Sequence, residues 1–270
     1  MNTTKLLSQN QQLPMIKRLT LFLISLPFLC YPQVTLKQVL VIENKTSQDT
    51  VIGIDVSRYQ GKINWQNLDT TVEFVIIKVS EGISRIDSRF STNWEGCTVL
   101  KGGYHFFRPQ FSGIQQANLF LKTLPIDSGN IIPCIDVEYT PYWQVKKNRK
   151  KAVVNLKNMV DKLRNILGTD PIIYTSKIFW EHYVFPYYKQ DVKNLWVVDY
   201  RNTTPKTPND KTWILWQYTN KGKFYGINTL VDVNICPNKF LMILKTEILL
   251  RKLRNSRKEK NPSGWKDSPF

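Results

Sequence analysis

The sequence predicts an α/β fold, a modified TIM-like (β/α) barrel whose last three strands are poor in helices. Eight short segments rich in β-branched residues follow one another between residues 51 and 235, and the first five mostly alternate with amphipathic helical segments. Polar residues also recur where these separate strands end. Because the carboxyl ends of barrel strands meet at one mouth, polar residues at those ends are expected to form one site.

The elements are predicted from their apolar periodicity. Strands are predicted at 51–56, 74–79, 103–107, 131–138, 172–175, 195–200, 213–218 and 230–235. Helices are predicted at 88–100, from Ser112 or Gly113 to Leu124, and at 150–167, where Gly168 provides the stop. The segments between the last three strands are rich in Pro, Asn and Lys and show no helical pattern, so we expect irregular connections there.

The two ends of the chain differ from its centre. Residues 1–30 are predicted as an export segment, because Lys17 and Arg18 precede an apolar run at 19–29 that is short for a membrane span; Met15 is an alternative start. Residues 31–50 are predicted as a tether, 51–238 as the catalytic barrel, and 239–270 as a basic C-terminal helix and tail. The predicted location is therefore periplasmic, cell-envelope or extracellular, with membrane anchoring if the N-terminal segment stays uncleaved.

The chain is strongly basic, with 38 Lys and Arg against 21 Asp and Glu among its 270 residues. This excess favours an anionic partner, and a cell-wall or membrane surface reached through the basic tail fits. Nucleic acid is not expected, because no zinc-ligand or helix-turn-helix pattern accompanies the charge. The sequence predicts no metal and no cofactor, and a monomer is favoured. Cys97, Cys134 and Cys236 match no zinc-ligand spacing and are predicted as buried free thiols, because Cys134 lies on the central strand and Cys97 in a helical segment; one disulfide among the three is the alternative.

The stretch IIPCIDVEY at 131–139 carries the most informative pattern. Alternate residues of a strand share a face, so Asp136 and Glu138 project the same way. Two carboxyl groups at the end of a buried strand would open into a cleft, where repulsion and burial separate their pKa values into an acid and an ionised partner. The alternative is a strand end whose acids pair with nearby Lys or Arg, and this stretch alone leaves both interpretations open.

Other strand ends add further polar residues to the predicted site. These are Asp55, Lys78, Glu81, Tyr104, Tyr174, Asp199, Trp216, Gln217 and Asp232. Tyr104 and Tyr174 would donate hydrogen bonds to a bound ligand, and Trp216 would offer a face for stacking; core or rim packing is the alternative for each of these aromatic residues. Lys78 would meet an anionic group of the ligand or form an ion pair with Glu81, and these two roles remain open. His105 points away from Tyr104 along the strand, so a packed, hydrogen-bonded histidine is predicted there.

Several motifs in order resemble the glycoside hydrolase family 25 lysozymes. They are GIDVSRYQGKINW at 53–65, FVIIKVSEG at 74–82, GGYHFFRP at 102–109, IDVEY at 135–139, and ILWQY at 214–218 followed by VDVN at 231–234. The resemblance implies a barrel with irregular last strands and an enzyme that cleaves the β-1,4 bond between N-acetylmuramic acid and N-acetylglucosamine in peptidoglycan. The family's four acidic site positions fall on Asp55, Asp136, Glu138 and Asp232. Asp55 and Asp232 lie on the first and eighth predicted strands, which closure of the barrel would make neighbours.

Glycoside cleavage requires a proton donor and stabilisation of positive charge at the anomeric carbon. Glu138 is the predicted general acid, because it lies furthest along its strand and nearest the mouth. Asp136 would either activate a water molecule, which inverts the anomeric configuration, or orient the substrate's acetamido group, which retains it; we favour the second. Two rival functions remain: a non-catalytic cell-wall-binding module, and a hydrolase of chitin or another N-acetylglucosamine polymer.

Overall fold

The computed structural model describes residues 50–126, 131–189, 192–238 and 240–241. The predicted export segment at 1–30 and the predicted tether lie outside the described residues, apart from Thr50. The predicted C-terminal helix and tail also lie outside them, apart from Phe240 and Leu241. Within the described residues, no helix is long and apolar enough to cross a membrane.

One nine-stranded sheet closes into a barrel within the described chain. Its strands are β1 (Thr50–Val56), β2 (Val72–Glu81), β3 (Arg85–Ile86), β4 (Leu100–Phe106), β5 (Cys134–Asp136), β6 (Ile172–Thr175), β7 (Leu195–Val198), β8 (Leu215–Gly222) and β9 (Val231–Pro237). The order is β1-β9-β8-β7-β6-β5-β4-β2-β3, and β1 also pairs with β2. Eight strands therefore close the barrel, while β3 forms a short hairpin with the end of β2. The predicted barrel is confirmed.

The last strand runs opposite to its neighbours, and this direction places Asp232 at the mouth. The other barrel strands pair in parallel, whereas β9 is antiparallel to both β8 and β1. Asp232 lies at the N-terminal end of β9, so its predicted position at the carboxyl end of a strand is wrong. Because an antiparallel strand begins where its neighbours end, the residue still reaches the same mouth. Asp232 pairs directly with Asp55 there, which confirms the predicted adjacency of the first and last strands.

Helices cover the outside of the barrel along its first six strands. They are α1 (Phe90–Gly96), α2 (Gly113–Thr123), α3 (Lys146–Leu167) and the short α4 (Lys177–Phe179), which continues as a π-helical turn at Trp180–Val184. In the described chain between β7 and β9, the helical structure is limited to one 3-10 turn at Pro208–Asp210. The prediction that the last three strands are poor in helices is therefore confirmed.

Several predicted elements have different bounds in the structure, and three of the differences have a clear physical reason. Helix α1 ends at Gly96, since Leu100 already begins β4. Helix α3 begins at Lys146 instead of Lys150, because its first turn consists of Lys, Asn and Arg and has no apolar periodicity to reveal it. The strand predicted at 131–138 is limited to β5, because Pro133 has no N–H to donate to a ladder and the chain leaves the sheet after Asp136.

Alternating strand residues build two apolar layers. Ile54, Ile77 and Ile135 belong to a core cluster that also contains Phe120 of α2 and Leu156 of α3. On the opposite strand face, Phe74 is fully buried. A side chain at Gly53 would meet its ring, because a Cβ atom at residue 53 would lie 2.3 Å from a ring carbon. Packing on both faces therefore fixes the strands that carry the mouth.

Two predictions about buried polar groups are confirmed. Free, buried thiols are found at Cys97, Cys134 and Cys236. The His105 side chain is fully buried; its Nδ1 lies 2.8 Å from Ser80 Oγ and its Nε2 lies 3.2 Å from Gln116 Oε1. Burial lowers the pKa of His105 to about 4, so this histidine is neutral and structural near pH 7.

The close contact between α2 and α3 depends on Gly113. A Cβ atom there would lie 1.7 Å from the backbone oxygen of Asn155. We expect Gly113→Ala to lower the free energy of unfolding by about 3 kcal/mol, because the helices must move apart. The matched control is Gly168→Ala, where φ is 69°, ψ is 10° and no atom lies within 4 Å, so only the strain of a left-handed backbone, about 1 kcal/mol, applies. Equal losses in urea denaturation would contradict the steric explanation.

Candidate active site

A cavity of about 260 Å³ opens at the mouth of the barrel, at the carboxyl ends of the parallel strands and the start of β9. Its lining residues are Asp55, Tyr59, Lys78, Tyr104, Phe106, Asp136, Glu138, Tyr174, Trp196, Tyr200, Gln217 and Asp232. All four predicted catalytic carboxyl groups therefore lie around one space. Lys78 is the one cation among the described residues that line it.

Asp55 and Asp232 face each other on paired strands. Asp55 Oδ2 accepts hydrogen bonds from Gln217 Nε2 (2.8 Å) and Asn234 Nδ2 (2.9 Å). Burial, followed by repulsion from Asp232, raises the pKa of Asp55 to about 7 despite these two bonds. Burial raises the pKa of Asp232 to about 6. This carboxyl pair therefore still holds protons at pH values where an ordinary aspartate is fully ionised.

Asp136 and Glu138 occupy different depths of the same wall. Asp136 is buried, and burial followed by repulsion from Glu138 raises its pKa well above the usual value. Its Oδ1 atom has no hydrogen-bond partner among the described residues. Glu138 lies at the exposed rim, where partial desolvation raises its pKa while Lys78 and Arg108 oppose the rise. Loss of water and repulsion from Asp232 raise the Glu138 pKa, and the repulsion between Glu138 and Asp136 raises the pKa of Asp136.

Gln217 joins the two sides of the cavity. Its Oε1 accepts hydrogen bonds from the hydroxyls of Tyr174 (2.9 Å) and Tyr200 (2.5 Å), while its Nε2 donates to Asp55. Because donors surround the amide oxygen, the amide N–H₂ is directed at Asp55. The predicted site residues Tyr174 and Gln217 thus lie in the cavity and are bound to each other.

Three predicted substrate-binding residues lie outside the lining. Glu81 is held by an ion pair with Lys78 (3.0 Å). Asp199 accepts hydrogen bonds from the backbone N–H groups of Arg201 and Lys206, so it organises the loop after β7. Trp216 donates from its indole to the Asp199 carbonyl oxygen (2.9 Å). A direct role of Glu81, Asp199 or Trp216 in substrate binding stays a prediction.

The structure adds residues to the predicted site. The cavity is also lined by Tyr59, Phe106, Trp196 and Tyr200. Asn234 lies behind the wall, where it donates to Asp55 and accepts from Trp196 Nε1 (2.7 Å). Strand alternation could have found two of them, because Phe106 follows Tyr104 by two residues and Asn234 follows Asp232 by two. Tyr59 sits in a turn after β1, where no periodicity indicates the direction of a side chain.

The raised pKa of Asp55 predicts a pH-dependent stability. Because the folded protein keeps a proton that the unfolded chain has released, the free energy of unfolding falls as pH rises from about 4 to about 7. We expect Asp55→Asn to flatten this fall, since an amide oxygen still accepts from Gln217 and Asn234 and cannot ionise. The measurement is urea denaturation at several pH values between 4 and 8.

Asp69→Asn is the control for this prediction, because hydrogen bonds from Thr71 lower the pKa of Asp69. The Asp69 carboxylate therefore makes the free energy of unfolding rise with pH, and its loss should not flatten the fall in the free energy of unfolding between about pH 4 and 7. An unchanged slope in Asp55→Asn would contradict the assignment of the pH effect to residue 55.

Comparison with known proteins supports the same interpretation. The family model described as Glycosyl hydrolases family 25 matches residues 54–227. An uncharacterized protein, YegX, of Escherichia coli (strain K12) is 34% identical over 195 residues, which cover 69% of each chain. Lysozyme M1 of Streptomyces globisporus is 30% identical over 198 residues, which cover 68% of this chain and 67% of that protein. The crystal structure of the lysozyme from Streptomyces coelicolor is 25% identical and superposes with a TM-score of 0.65, covering 74% of this chain and all of the other. On these matches and on its barrel, the chain belongs to glycosyl hydrolase family 25.

Proposed function

We propose that this protein is a lysozyme, which hydrolyses the β-1,4 bond between N-acetylmuramic acid and N-acetylglucosamine in peptidoglycan. The observation that carries the proposal is the gathering of four carboxyl groups, from three separate strand ends, around one cavity. Glycoside hydrolysis uses carboxyl groups in this way, because a protonated one supplies the leaving group with a proton while another stabilises positive charge. The relatives named as lysozymes support the same substrate.

Glu138 acts as the general acid. Its position at the rim lets it reach the oxygen of a glycosidic bond that enters from solvent, and desolvation keeps its carboxyl protonated above the usual pH range. Its O–H donates a proton to the glycosidic oxygen as the bond between this oxygen and the anomeric carbon breaks. The carboxylate that remains can then take a proton from the incoming water molecule.

Asp136 orients the acetamido group of the sugar that is attacked. Its unpartnered Oδ1 accepts the acetamido N–H, and the acetamido oxygen then forms a bond to the anomeric carbon as the leaving group departs. Positive charge develops on this cyclic intermediate beside Asp136, which favours the carboxylate form of a group whose pKa is raised in the empty cavity. Water opens the intermediate and the anomeric configuration is retained.

Asp55 and Asp232 support this pair from the opposite wall. Asp55, whose pKa is raised to about 7, can donate to or accept from a sugar hydroxyl near neutral pH, whereas Asp232, whose pKa is raised to about 6, mainly accepts there. Tyr104 of β4, the strand next to β5, lines the same cavity and offers a hydroxyl to the substrate, while Lys78 offers a positive charge. Exposed Tyr59 at the entrance offers a ring face to a sugar.

The location and partners follow from this reaction. Peptidoglycan lies outside the cytoplasmic membrane, so the apolar run at 19–29 would direct export and the basic residues at 239–270 would hold the enzyme to an anionic envelope surface. We infer a monomer, because one chain supplies the whole cavity.

Digestion of purified peptidoglycan tests the proposal. The expected product is a new reducing end on N-acetylmuramic acid, identified by borohydride reduction and mass spectrometry. Binding without a new reducing end would instead support a wall-binding module. Cleavage of chitin oligomers in preference to peptidoglycan would support the rival polymer hydrolase.

A further inference from the structure

Three cations surround a single carboxylate beside the cavity. Glu81 accepts from Lys78 Nζ (3.0 Å), Arg85 Nη1 (3.1 Å) and Arg108, whose Nε and Nη2 lie 2.9 and 2.5 Å from the same oxygen. Although burial opposes ionisation, the Arg108 and Lys78 hydrogen bonds lower the pKa of Glu81 to about 2, so it is ionised at neutral pH. Three positive charges against one negative charge leave an excess of two, and we refer to Lys78, Glu81, Arg85 and Arg108 as the rim cation cluster.

The rim cation cluster is held in a fixed shape. The buried Gln116 amide accepts from the Arg108 backbone N–H (2.8 Å) and donates to the Arg108 carbonyl oxygen (3.0 Å). The Arg108 guanidinium also lies over the Phe106 ring, 4.7 Å from its centre. Arg85 is placed by the β2–β3 hairpin, in which it pairs directly with Glu81. A guanidinium group that is already held in place loses less freedom when it binds a ligand.

Two cations of the cluster act electrostatically on the general acid, and the third is exposed to solvent. Lys78 and Arg108 both oppose the rise in the Glu138 pKa, so they lie within electrostatic reach of the general acid. Arg85 lies on the outer side of Glu81, with 58% of its side chain exposed. The cluster therefore extends from Lys78, which lines the cavity, to the solvent-exposed side chain of Arg85, which lies outside the lining.

We propose that Arg85 and Arg108 bind a carboxylate carried by the muramic acid residue of the substrate, and so select charged cell wall. The inference rests on the proposed lysozyme function. A carboxylate matches the planar donor set of arginine, and peptidoglycan offers two sources. One is the peptide, which is joined through an amide bond to the lactyl group of muramic acid; the other is the lactyl group itself, which is a free carboxylate only on muramic acid residues that carry no peptide. Either source would approach the entrance together with the glycosidic bond next to Glu138.

The test measures rates of wall cleavage before and after the carboxylates are removed. Peptidoglycan is treated with carbodiimide and ammonia, which converts its carboxylates to amides and leaves the glycan intact. We expect the wild-type enzyme to cleave untreated wall faster than amidated wall. The measured quantity is the rate on untreated wall divided by the rate on amidated wall. Arg85→Gln should lower this ratio about fivefold, because an exposed charge pair contributes about 1 kcal/mol, which corresponds to that factor. Arg85→Glu should lower the ratio further.

Lys122→Gln is the matched control, because Lys122 is an exposed cation in the last turn of α2 and makes no part of the rim cation cluster. It should keep the wild-type ratio. Glycan from which an amidase has stripped the peptides distinguishes the sources: a ratio that persists on stripped glycan assigns the lactyl carboxylate, and one that disappears assigns the peptide.

Two results would overturn the inference: a wild-type enzyme indifferent to amidation, or an Arg85→Gln variant slowed equally on both walls. The second result would make Arg85 a structural residue. A wild-type enzyme that cleaves none of these walls would instead contradict the lysozyme function itself, so the two failures are distinguishable.

Discussion

Replacement of Glu138 by Gln is expected to lower kcat for wall hydrolysis by about a thousandfold, because the amide cannot give a proton to the leaving oxygen. The fold should be unaffected, since the residue lies at the exposed rim after β5 and an exposed substitution changes the free energy of unfolding by about 0.5 kcal/mol or less. The measurement combines reducing-end release from purified peptidoglycan with urea denaturation of the same preparations.

A substrate with an activated leaving group tests the role more directly. The dinitrophenolate group of a dinitrophenyl glycoside departs without being protonated. The Glu138→Gln variant should therefore lose much less activity on this substrate than on peptidoglycan. The matched control is Glu95→Gln, which removes an exposed carboxylate of α1 that does not line the cavity. It should retain the wild-type rate. A Glu138→Gln enzyme that cleared peptidoglycan at the wild-type rate would refute the assignment of the acid.

The sequence was sufficient to predict which carboxyl groups meet, because two simple rules apply to them. Strand alternation places Asp136 and Glu138 on one face, and closure of an eight-stranded barrel makes the first and last strands neighbours, which brings Asp232 to Asp55. The residue pattern of a strand does not encode its direction, so the antiparallel course of β9 was missed. The short connection from Gly222 to Val231 was the available signal, because a parallel return needs a crossover of a dozen or more residues.

The rim cation cluster could not be predicted from alternation, because β2 contains a bulge. Lys78 pairs with Tyr104 and Ser80 pairs with the next residue, His105, so Val79 is an extra residue in the ladder. After this bulge the two faces exchange: Ser80 turns outward to His105, and Glu81 turns to the side of Lys78. Regular alternation would have sent Glu81 to the other face. The ion pair with Lys78, one of two roles left open from the sequence, therefore depends on a single inserted residue.

Asp136→Asn is expected to lower wall hydrolysis by at least about a hundredfold and, at neutral pH, to raise the free energy of unfolding. The activity falls because an amide cannot carry the negative charge that stabilises the cyclic intermediate. The stability rises because the substitution removes a buried carboxyl group whose pKa is raised and whose Oδ1 has no partner among the described residues.

A fall in activity together with a rise in the free energy of unfolding would show that Asp136 has a catalytic role and is not needed for the fold. A variant that lost both together would show that Asp136 holds the fold, and would contradict its role as the acetamido partner. The stereochemistry completes the test, because proton NMR of the wild-type reaction should show the β-anomer first if the acetamido oxygen is the nucleophile. A first-formed α-anomer would mean that Asp136 activates water instead, and the same unpartnered oxygen would then be the base.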